Sequence, residues 1–595
     1  MTHTINERVG RLRSWMKENG FTAFVFPSSD PHNSEYVADH WKSREWISGF
    51  SGSAGTAVVT LEYAALWTDS RYFIAAEKEL NGTGFQLMKL RVEGTPSVSE
   101  WLASKLSTYE KAVVGLDGNV NSFAEVAAME QELATKGNIT VRTDADPMAE
   151  LWTDRPVIPD NMVSLHPLEY SGESTSSKVS RVRKHLLDCG ADGLLVTALD
   201  EIAWVLNLRG SDVHCNPVFV SYLLISPENI TLYINNVKLP DDVKAYLMSE
   251  HIDVQAYESV VEGLRLYAGK SLLVDMSSTN YSLATAVPFE KVCSGVSPIA
   301  SMKAVKNKVE QDGFRAAMLR DGVAVVKFLA WLKSAVEAGG QTEISLDDRL
   351  TALRAEQPKF KGISFDTIVG YEAHGAIVHY EVTPETDIPV QPHGLVLIDS
   401  GAQYLDGTTD ITRTIALGEL SEEQRRVYTL VLKGHIQLDR CRFPAGACGS
   451  QIDALARAPM WREGYNYMHG TGHGVGSYLN VHEGPHQIRM EWRPAPLQAG
   501  MTVTNEPGIY LEGKFGVRIE NTLLIVPAES TAFGDFLKFE TLTLAPIDTA
   551  PIVLEMLSTE EREWLNNYHR RVYESLSPYL EGNEKEWLRK ATLPI

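Results

Sequence analysis

Cysteine is scarce in this chain of 595 residues, which contains only five. They are Cys189, Cys215, Cys293, Cys441 and Cys448, and no two of them form a CxxC pair. An odd number of isolated cysteines does not indicate a disulfide framework and fits a reducing compartment best. We therefore expect a cytoplasmic protein.

Long apolar runs are also missing. The sequence has no stretch of roughly 18 consecutive apolar residues, the length that suggests a membrane-spanning helix. The first twenty residues, MTHTINERVGRLRSWMKENG, lack the apolar segment of a secretory signal. We expect neither a membrane span nor a secretory route.

Basic blocks are the third absence. The chain has 77 acidic and 55 basic residues, a net charge of −22, and its lysines and arginines form no cluster. This charge disfavours nucleic acid and anionic membranes as partners, because both are negatively charged. The hydrophobic fraction of 44% is typical of globular proteins. A chain of this length is too long for one core and predicts about two to four domains.

The first half of the chain contains a weak internal repeat. RLRSWMKENGFTAFVFPSSD (11–30) aligns without gaps on RVRKHLLDCGADGLLVTALD (181–200), and WISGFSGS (46–53) then aligns on WVLNLRGS (204–211). Each copy reads as an amphipathic helix, a glycine, an apolar strand and a polar turn. Helix–glycine–strand is a common pattern, but the further match of Trp46 with Trp204 favours two α/β domains of similar fold.

The remaining pattern predicts a third, α+β domain. Prolines interrupt the first unit at 154–161, and a long helical pattern begins at Lys303. Capping boxes start later helices at Ser421 and Ser558, and the apolar helix after Ser558 must pack on its own domain or on another subunit. We predict domains at 1–155, 156–302 and 303–595, the last with a helical tail at 551–595.

Five potential metal ligands lie in the last third of the chain. Each occurs in a stretch that reads as strand or turn, and the five are Asp399, Asp410, His473, Glu506 and Glu520. A single carboxylate at a strand end is usually a solvated charge or a member of an ion pair. Several carboxylates that converge from adjacent strands, however, need cations to offset their repulsion. The set predicts a site for two divalent ions; it favours Mn²⁺ or another hard ion, with Zn²⁺ and Co²⁺ still open.

The spacing of Asp399 and Asp410 allows a more specific prediction about the local structure. Asp399 follows the apolar run LVLI, and Asp410 comes eleven residues later, beyond Gly401 and Gly407. This spacing predicts a hairpin that places two strands side by side.

Three motifs resemble known sites but fail on context. HEGPH (482–486) matches the zinc motif HExxH, which requires a helix that Gly484 and Pro485 disfavour. The glycine-rich stretch at 470–476 lacks the GK[ST] of a phosphate-binding loop. GFSGSAG in the first domain lacks the spacing of a nucleophile elbow.

The five ligand motifs, LIDSGAQY, TTDITRT, HGTGHGVG, NEPGIY and VRIEN, resemble those of the pita-bread metallopeptidases. The segments at 28–57, 66–73, 200–219, 365–380 and 536–547 are also similar to the three-domain aminopeptidase P group of that family. The resemblance covers nearly the whole chain. It implies two creatinase-like α/β domains followed by a pita-bread catalytic domain.

The resemblance also implies roles for the metal ligands. Asp399 would bind one ion, Asp410 and Glu520 would bridge both, and His473 and Glu506 would complete the other site. Glu506 would also transfer a proton.

Further side chains would act on the substrate or the ligands. His379 and His482 would bind the substrate carbonyl and the tetrahedral oxyanion, and His469 would line the pocket near the proline. Arg518, two residues before Glu520, would orient Glu520 or Asp410; a plain charge-balancing role for it stays open.

The function implied is that of an Xaa-Pro aminopeptidase, which releases the first residue from peptides with proline second, and which forms a homodimer through its C-terminal domain. One alternative is a prolidase, which shares the five ligands but cleaves dipeptides; the repeated N-terminal half argues against it. The other is a non-catalytic pita-bread scaffold that binds proteins. Such scaffolds lose metal ligands, whereas all five are present here.

Overall fold

The computed structural model of the chain describes residues 4–595. Two compact units are formed. One contains the described residues up to Leu165 together with Ser174–Ile299, and the other contains His166–Glu173 together with Ala300–Ile595. The three-domain boundaries at residues 155 and 302 stay a prediction.

The first unit contains two six-stranded sheets. The strands of the first sheet are β1 (Ala23–Pro27), β2 (Thr56–Thr60), β3 (Ala64–Thr68), β4 (Gln86–Lys89), β5 (Ala112–Leu116) and β6 (Ile139–Arg142). The next eight strands are β7 (Ser164–Leu165), β8 (Gly193–Val196), β9 (Leu208–Arg209), β10 (Tyr222–Ile225), β11 (Ile230–Tyr233), β12 (Ile252–Gln255), β13 (Leu272–Val274) and β14 (Val292–Ser294). Of these, β7 and β9 form a separate short pair, and the other six form the second sheet.

The two large sheets share one topology. Their strand orders are β4-β3-β2-β1-β5-β6 and β12-β11-β10-β8-β13-β14, so the six strands of each sheet occupy corresponding places. In both sheets the first three strands of the chain pair antiparallel, and the other three pairings are parallel. The prediction of two α/β halves with a similar fold is confirmed.

Helices cover these sheets. The helices Ile5–Asn19 and Thr175–Asp188 open the two halves. The glycines after them, Gly20 and Gly190, have positive φ angles of 77° and 76°, which glycine adopts without steric cost. The other helices of four or more residues in this unit are Ser43–Ser48, Phe73–Glu79, Val98–Leu106, Phe123–Lys136, Met148–Leu151, Leu199–Leu206, Asp241–Ser249, Val260–Arg265 and Tyr281–Ala286.

The repeat extends to individual side-chain contacts. The guanidinium of Arg8 lies 4.8 Å from the ring centroid of Trp46 and donates to the Trp46 carbonyl at 2.7 Å. In the second half, the ammonium of Lys178 lies 4.3 Å from the ring centroid of Trp204 and donates to that carbonyl at 2.8 Å. The gap-free alignment, extended three residues towards the N-terminus, pairs Arg8 with Lys178, so this cation–tryptophan contact is duplicated.

A second pair of contacts corresponds in the same way. Arg13 donates to the carbonyl of Thr60 at 2.9 Å, and Arg183 donates to the carbonyl of Ser226 at 3.1 Å. Each acceptor lies at the end of the second strand of its sheet. The sequence alignment of Arg13 with Arg183 therefore reflects a shared structural role.

The second unit combines several small sheets with long helices. Its strands are β15 (Phe360–Ile363), β16 (Ile368–Tyr371), β17 (Leu395–Ser400), β18 (Ala402–Tyr404), β19 (Gly407–Thr408), β20 (Ile411–Ala416), β21 (Arg442–Pro444), β22 (Gly472–Gly474), β23 (Glu483–Ile488), β24 (Thr502–Asn505), β25 (Gly508–Leu511), β26 (Phe515–Arg518), β27 (Asn521–Thr531) and β28 (Gly534–Thr541). They form the sheets β15-β18-β19, β16-β17-β20 and β21-β28-β27-β24, and the pairs β22-β23 and β25-β26. The predicted α+β character of this part is confirmed.

The main helices of this unit are Lys308–Ala338, Glu343–Ala355, Glu422–Asp439, Asp453–Trp461, Thr559–Leu576 and Gly582–Ala591. Both predicted capping boxes are formed, by Ser421 with Gln424 and by Ser558 with Glu561.

The tail helix Thr559–Leu576 packs on its own unit. Leu565, Val572 and Leu576 are fully buried in a core that also contains Val427 and Ile519. Of the two partners that we left open for this helix, its own domain is the one observed.

Residues 4–595 contain no helix with both the length and the apolar character needed to cross a bilayer.

Candidate metal centre

The five predicted ligands all lie at strand ends or in short breaks between strands. Asp399 is in β17 and His473 is in β22. Asp410 lies between β19 and β20, Glu506 directly follows β24, and Glu520 lies between β26 and β27. The five ligands therefore come from five separate segments of the chain.

The predicted hairpin between Asp399 and Asp410 is formed. β17 pairs antiparallel with β20, and Asp399 lies opposite Thr412. The Thr522 hydroxyl of β27 donates to the Asp410 carbonyl at 3.0 Å. These pairings hold the two aspartates close to the strand that follows Glu520.

The ligand atoms of three of the five residues converge. One ligand atom each from Asp410, His473 and Glu520 lies within 4.8 Å of the others. The His473 Nε2 is 3.4 Å from the Asp410 Oδ2 and 3.7 Å from the Glu506 Oε1. The structure thus brings His473, both bridging candidates and Glu506 to one place.

The orientation of His473 suits a ligand. Its Nδ1 lies 2.8 Å from the carbonyl oxygen of Gly474, an atom that can only accept, so Nδ1 carries the hydrogen. In the neutral imidazole, Nε2 then has the lone pair that faces the carboxylates. A backbone acceptor on the other ring nitrogen is the usual way in which proteins fix a metal-binding histidine.

The buried carboxylates repel one another. Burial raises the pKa of Asp410 well above its usual range, and the charges of Asp399 and Glu506 raise it further. Burial likewise raises the pKa of Glu520, with Asp410 and Asp399 adding to the effect. The pKa of Glu506 rises to about 7 through burial, although Arg518 opposes the rise. So much negative charge in one pocket calls for positive charge beyond a single arginine.

Arg518 interacts with a different carboxylate from the two that we predicted. Its Nη2 and Nε donate to the Oδ2 of Asp399 at 2.6 and 3.1 Å. The prediction that Arg518 orients Glu520 or Asp410 through hydrogen bonds was wrong. Residues two apart share a face only within one strand, and β26 ends at Arg518, before Glu520. Among the described residues, the Asp399 Oδ1 is buried without a hydrogen-bond partner, so it is the oxygen available to a cation.

Two residues that the sequence did not single out complete these contacts. The Thr412 hydroxyl donates to the Glu520 Oε2 at 2.9 Å. The Tyr510 hydroxyl accepts from the Arg518 Nη1 at 2.8 Å and lies 2.8 Å from the His469 Nε2. Their closeness in sequence to predicted ligands could have indicated that they belong to the site, since Thr412 follows Asp410 by two residues and Tyr510 follows Glu506 by four.

These contacts fix the tautomer of His469. Its Nδ1 lies 2.7 Å from the Gly470 carbonyl, to which it donates, so Nε2 accepts from the Tyr510 hydroxyl. The His469 Nδ1 is also 4.0 Å from the Glu506 Oε2. His469 therefore lies beside the carboxylate cluster with its ring held from both ends.

The other two predicted histidines lie on separate segments. The ring centroid of His482 is 4.3 Å from that of His473, nearly perpendicular to it. His379 is half-buried and follows the 3-10 turn Glu372–Ala376. That turn packs closely on β26, since a Cβ at Gly516 would meet the Gly375 carbonyl at 1.8 Å. Roles for both histidines stay a prediction.

The rejected zinc motif is not helical. HEGPH includes the start of β23, in which Glu483 pairs with Gly474 of β22. The glycine-rich stretch before it forms β22 rather than a loop that opens a helix. Both rejections are confirmed.

Chemically, the pocket fits divalent cations. It supplies four carboxylates and one imidazole nitrogen, a donor set that suits hard or borderline ions. One carboxylate oxygen has no hydrogen-bond partner among the described residues, and two carboxylates are buried beside further negative charges.

Family models match four successive parts of the chain. Residues 312–527 match the metallopeptidase family M24, and residues 535–595 match the C-terminal region of peptidase M24. Residues 8–149 and 154–310 each match a creatinase/prolidase N-terminal domain.

Relatives of known name cover the whole length. A protein of Laccaria bicolor named probable Xaa-Pro aminopeptidase P is 40% identical over 100% of this chain and 94% of its own. The crystal structure of the X-prolyl aminopeptidase of Caenorhabditis elegans, described as a cytosolic enzyme with a di-nuclear active site, matches with a TM-score of 0.95 and 35% identity over 100% of both chains. The Xaa-Pro dipeptidase of Bacillus anthracis matches with a TM-score of 0.52 and 25% identity, over 63% of this chain and 99% of its own. The chain therefore belongs to the metallopeptidase family M24, among the aminopeptidase P members that carry creatinase-type N-terminal domains.

Proposed function

We propose that this chain is an Xaa-Pro aminopeptidase that uses two divalent ions. The observation that carries the proposal is the convergence of His473 with buried carboxylates that raise one another's pKa. Similarity to Xaa-Pro aminopeptidases over the full length of the chain supports the same conclusion.

The five residues would divide between the two ions as the family resemblance implies. Asp399 would hold one ion through its unpartnered oxygen, Asp410 and Glu520 would bridge, and His473 and Glu506 would hold the other. Mn²⁺ is our choice of metal because four of the five donors are carboxylates. When bound, the ions would supply the positive charge that acidifies a water molecule and polarises the scissile carbonyl.

The chain's own residues would handle protons and orientation. Glu506, with a pKa raised to about 7 by burial, would take a proton from the attacking water and deliver it to the proline nitrogen. His379 and His482 would donate to the carbonyl oxygen as it becomes negative.

Arg518 and His469 would act without taking part in proton transfer. Arg518 would hold Asp399 in place through its two hydrogen bonds. Because both ring nitrogens of His469 are engaged by Tyr510 and Gly470, His469 would line the proline pocket with its ring rather than with a free donor.

The substrate follows from the chemistry of proline. An Xaa–Pro bond has a tertiary amide without an N–H, so a dedicated enzyme must accommodate the ring and bind the free N-terminus. The carboxylates and ions would bind that amine. Peptides with proline in the second position are therefore the proposed substrates.

Assembly and location belong to the proposal as well. We propose a homodimer formed through the C-terminal domain, which exposes large apolar side chains at Met468, Met490 and Trp492. Multi-angle light scattering would measure its mass. A cytoplasmic location is proposed from the isolated cysteines, which form no disulfide bond with one another.

The first prediction concerns Asp410→Asn. Loss of a bridging charge should reduce the hydrolysis of an Xaa-Pro-Xaa tripeptide with Mn²⁺ by about 100-fold or more, while circular dichroism shows a folded protein. The measurements are kcat and bound metal per chain. Turnover by this variant near the wild-type rate would contradict the assignment of two metal ions to this site.

The same assay separates the alternatives. A prolidase would prefer an Xaa-Pro dipeptide to the tripeptide, and the match of the dipeptidase structure to only 63% of this chain makes that outcome unexpected. A scaffold would purify without metal and stay inactive with added Mn²⁺.

A further inference from the structure

The motif HEGPH, which the proposed chemistry uses only at His482, contains a buried carboxylate held by two lysines. The Glu483 Oε2 accepts from the Lys303 ammonium at 2.6 Å, and its Oε1 accepts from the Lys306 ammonium. The three side chains are at most 2% exposed. We call this group the Lys-Glu-Lys triad.

A buried charge cluster of this kind needs an explanation beyond stability. Taking three charges out of water is costly, and a well-packed apolar set of the same volume is often as stable or more so. Burial lowers the pKa of Lys306, so the loss of hydration disfavours the charged ammonium even though a carboxylate lies beside it. The triad also contains one more ammonium than the carboxylate can neutralise.

The triad connects the metal centre to the start of the catalytic unit. Lys303 belongs to the helix Pro298–Ala304, and the Lys306 N–H donates to the Gly500 carbonyl at 2.9 Å. Val305 forms an isolated β-bridge with Met501, directly before β24, the strand that Glu506 directly follows. The lysines are thus fixed to the same backbone that positions a proposed ligand.

Glu483 in turn fixes the segment that carries His482. Its backbone pairs with Gly474, the residue after His473. His482 directly precedes Glu483, the first residue of β23, so the anchored backbone of Glu483 limits where the His482 ring can lie. The observed contact of the His482 and His473 rings, with centroids 4.3 Å apart, agrees with this arrangement.

We infer that Glu483, held by Lys303 and Lys306, is a positioning residue that sets the place of the His482 ring in the active site. The inference rests on the proposed function only in that His482 must act on the substrate. Lys303 and Lys306 themselves would touch neither substrate nor ion.

The test uses Lys303→Met rather than a change of Glu483. Glu483→Gln would remove the carboxylate charge that the two buried ammonium groups share and is expected to misfold. Lys303→Met leaves one ammonium and one carboxylate, a neutral pair, and fills the same volume. We expect kcat on an Xaa-Pro-Xaa peptide with Mn²⁺ to fall by about 10-fold, with KM and bound metal unchanged. Lys303→Arg, which keeps the charge, should restore kcat to within about threefold of wild type.

A double-mutant cycle separates positioning from general damage. His482→Ala should lower kcat by about 100-fold on its own, and adding Lys303→Met to it should cause no further loss, because the ring to be positioned is gone. Lys433→Met is the matched control: its ammonium pairs with Glu561 at 2.6 Å on the helix Glu422–Asp439, and its kcat should equal that of the wild type.

A second readout does not need catalysis. Hydrogen–deuterium exchange of the ion-free protein should be faster at residues 481–488 in Lys303→Met than in the wild type, and unchanged in the helix Glu422–Asp439.

Three results would overturn the inference: a wild-type kcat in Lys303→Met, the same fractional loss with and without His482, or unchanged exchange at 481–488. Wild-type protein that does not hydrolyse the peptide at all would overturn the proposed function, and this inference with it.

Discussion

At the residue scale, the two carboxylate oxygens of Asp399 have different surroundings. Both hydrogen bonds from Arg518 go to its Oδ2, and its Oδ1 is buried without a hydrogen-bond partner among residues 4–595. The Arg518 guanidinium also donates to the Tyr510 hydroxyl and to the Thr412 hydroxyl, the latter at 3.2 Å. Its planar group of several N–H donors therefore binds three different side chains.

Arg518→Lys tests this arrangement. A lysine keeps the charge but has no fork, so it cannot hold Asp399 and Tyr510 together. We expect kcat or the affinity for Mn²⁺ to fall by about 10- to 100-fold, as measured by peptide hydrolysis and isothermal titration calorimetry.

Arg315→Lys is the control for that change. Arg315 also holds a carboxylate with two hydrogen bonds, to Glu540 at 2.8 and 2.7 Å, but lies in the helix Lys308–Ala338 and is partly exposed. Its kcat should match the wild type. Equal losses in the two variants would argue against a specific role for Arg518.

The carboxylate that Arg518 contacts is the part of the site that could not be predicted from the sequence. Strand alternation relates residues two apart, but the contacts of Arg518 with Asp399 and of Thr412 with Glu520 span more than 100 positions. They depend on which strands pair and in which register. The ligands themselves could be predicted, since five polar residues at strand ends form an unusual local signal.

At the scale of elements, Asp439 joins three parts of the second unit. It is the last residue of the helix Glu422–Asp439 and accepts from Thr541 of β28 at 2.8 Å and from the Trp564 indole of the tail helix at 2.8 Å. Burial raises its pKa from 3.8 to about 6, although both hydrogen bonds oppose the rise. A negative charge at a helix C-terminus is unfavourable as well.

This raised pKa predicts a pH dependence of stability. The folded state binds the Asp439 proton more tightly than the unfolded state, so its stabilising effect is fully present below about pH 4 and is lost as pH rises through about 6. Asp439→Asn stays neutral and should therefore be more stable than the wild type above pH 6, by up to about 3 kcal/mol. The measurement is Tm against pH for both proteins.

Asp188→Asn is the control. Asp188 also ends a helix, Thr175–Asp188, but is exposed. Because this side chain is exposed, Asp188→Asn should change Tm far less than Asp439→Asn above pH 6. A Tm difference between Asp439→Asn and the wild type that stays constant from pH 4 to 7 would contradict the prediction.

Elements with local signals were the most predictable. Capping boxes are formed within four residues, so Ser421 and Ser558 marked two helix starts correctly. Gly484 and Pro485 likewise excluded a helix in HEGPH from local chemistry alone. Which surface the tail helix covers is a tertiary property, and there the sequence left two partners open.

At the scale of the molecule, each unit has its own apolar core. Phe24 and Phe26 of β1 lie in one cluster of the first unit, and Val25 lies in another on the opposite face. Val427 and Leu565 belong to a separate core in the second unit, the unit that contains all five ligands. Units with separate cores can unfold separately.

Calorimetry with and without a chelator tests that division. We expect two transitions, and EDTA should lower the Tm of one by about 5 °C or more, because a ligand that binds only the folded state stabilises it. The other transition, from the unit without the ligand set, should stay within about 1 °C. In Asp410→Asn the EDTA shift should shrink. A single transition that moves as a whole would refute the independence of the two units.

The repeat made the architecture of the first unit predictable. A helix, a glycine and a strand are local patterns, and their recurrence 170 positions later indicated two similar folds before any strand order was known. Strand order and pairing direction could not be read from the residues, since both depend on contacts far apart in the chain.

The duplicated contact of a cation with tryptophan has a consequence for the history of the chain. Few identities survive between the two halves, yet Arg8 on Trp46 and Lys178 on Trp204 make the same two interactions. The likeness of the two contacts favours the origin of both halves from one duplicated domain. The same geometry is provided by an arginine in one half and by a lysine in the other, so the molecule itself compares the two cations at one kind of site.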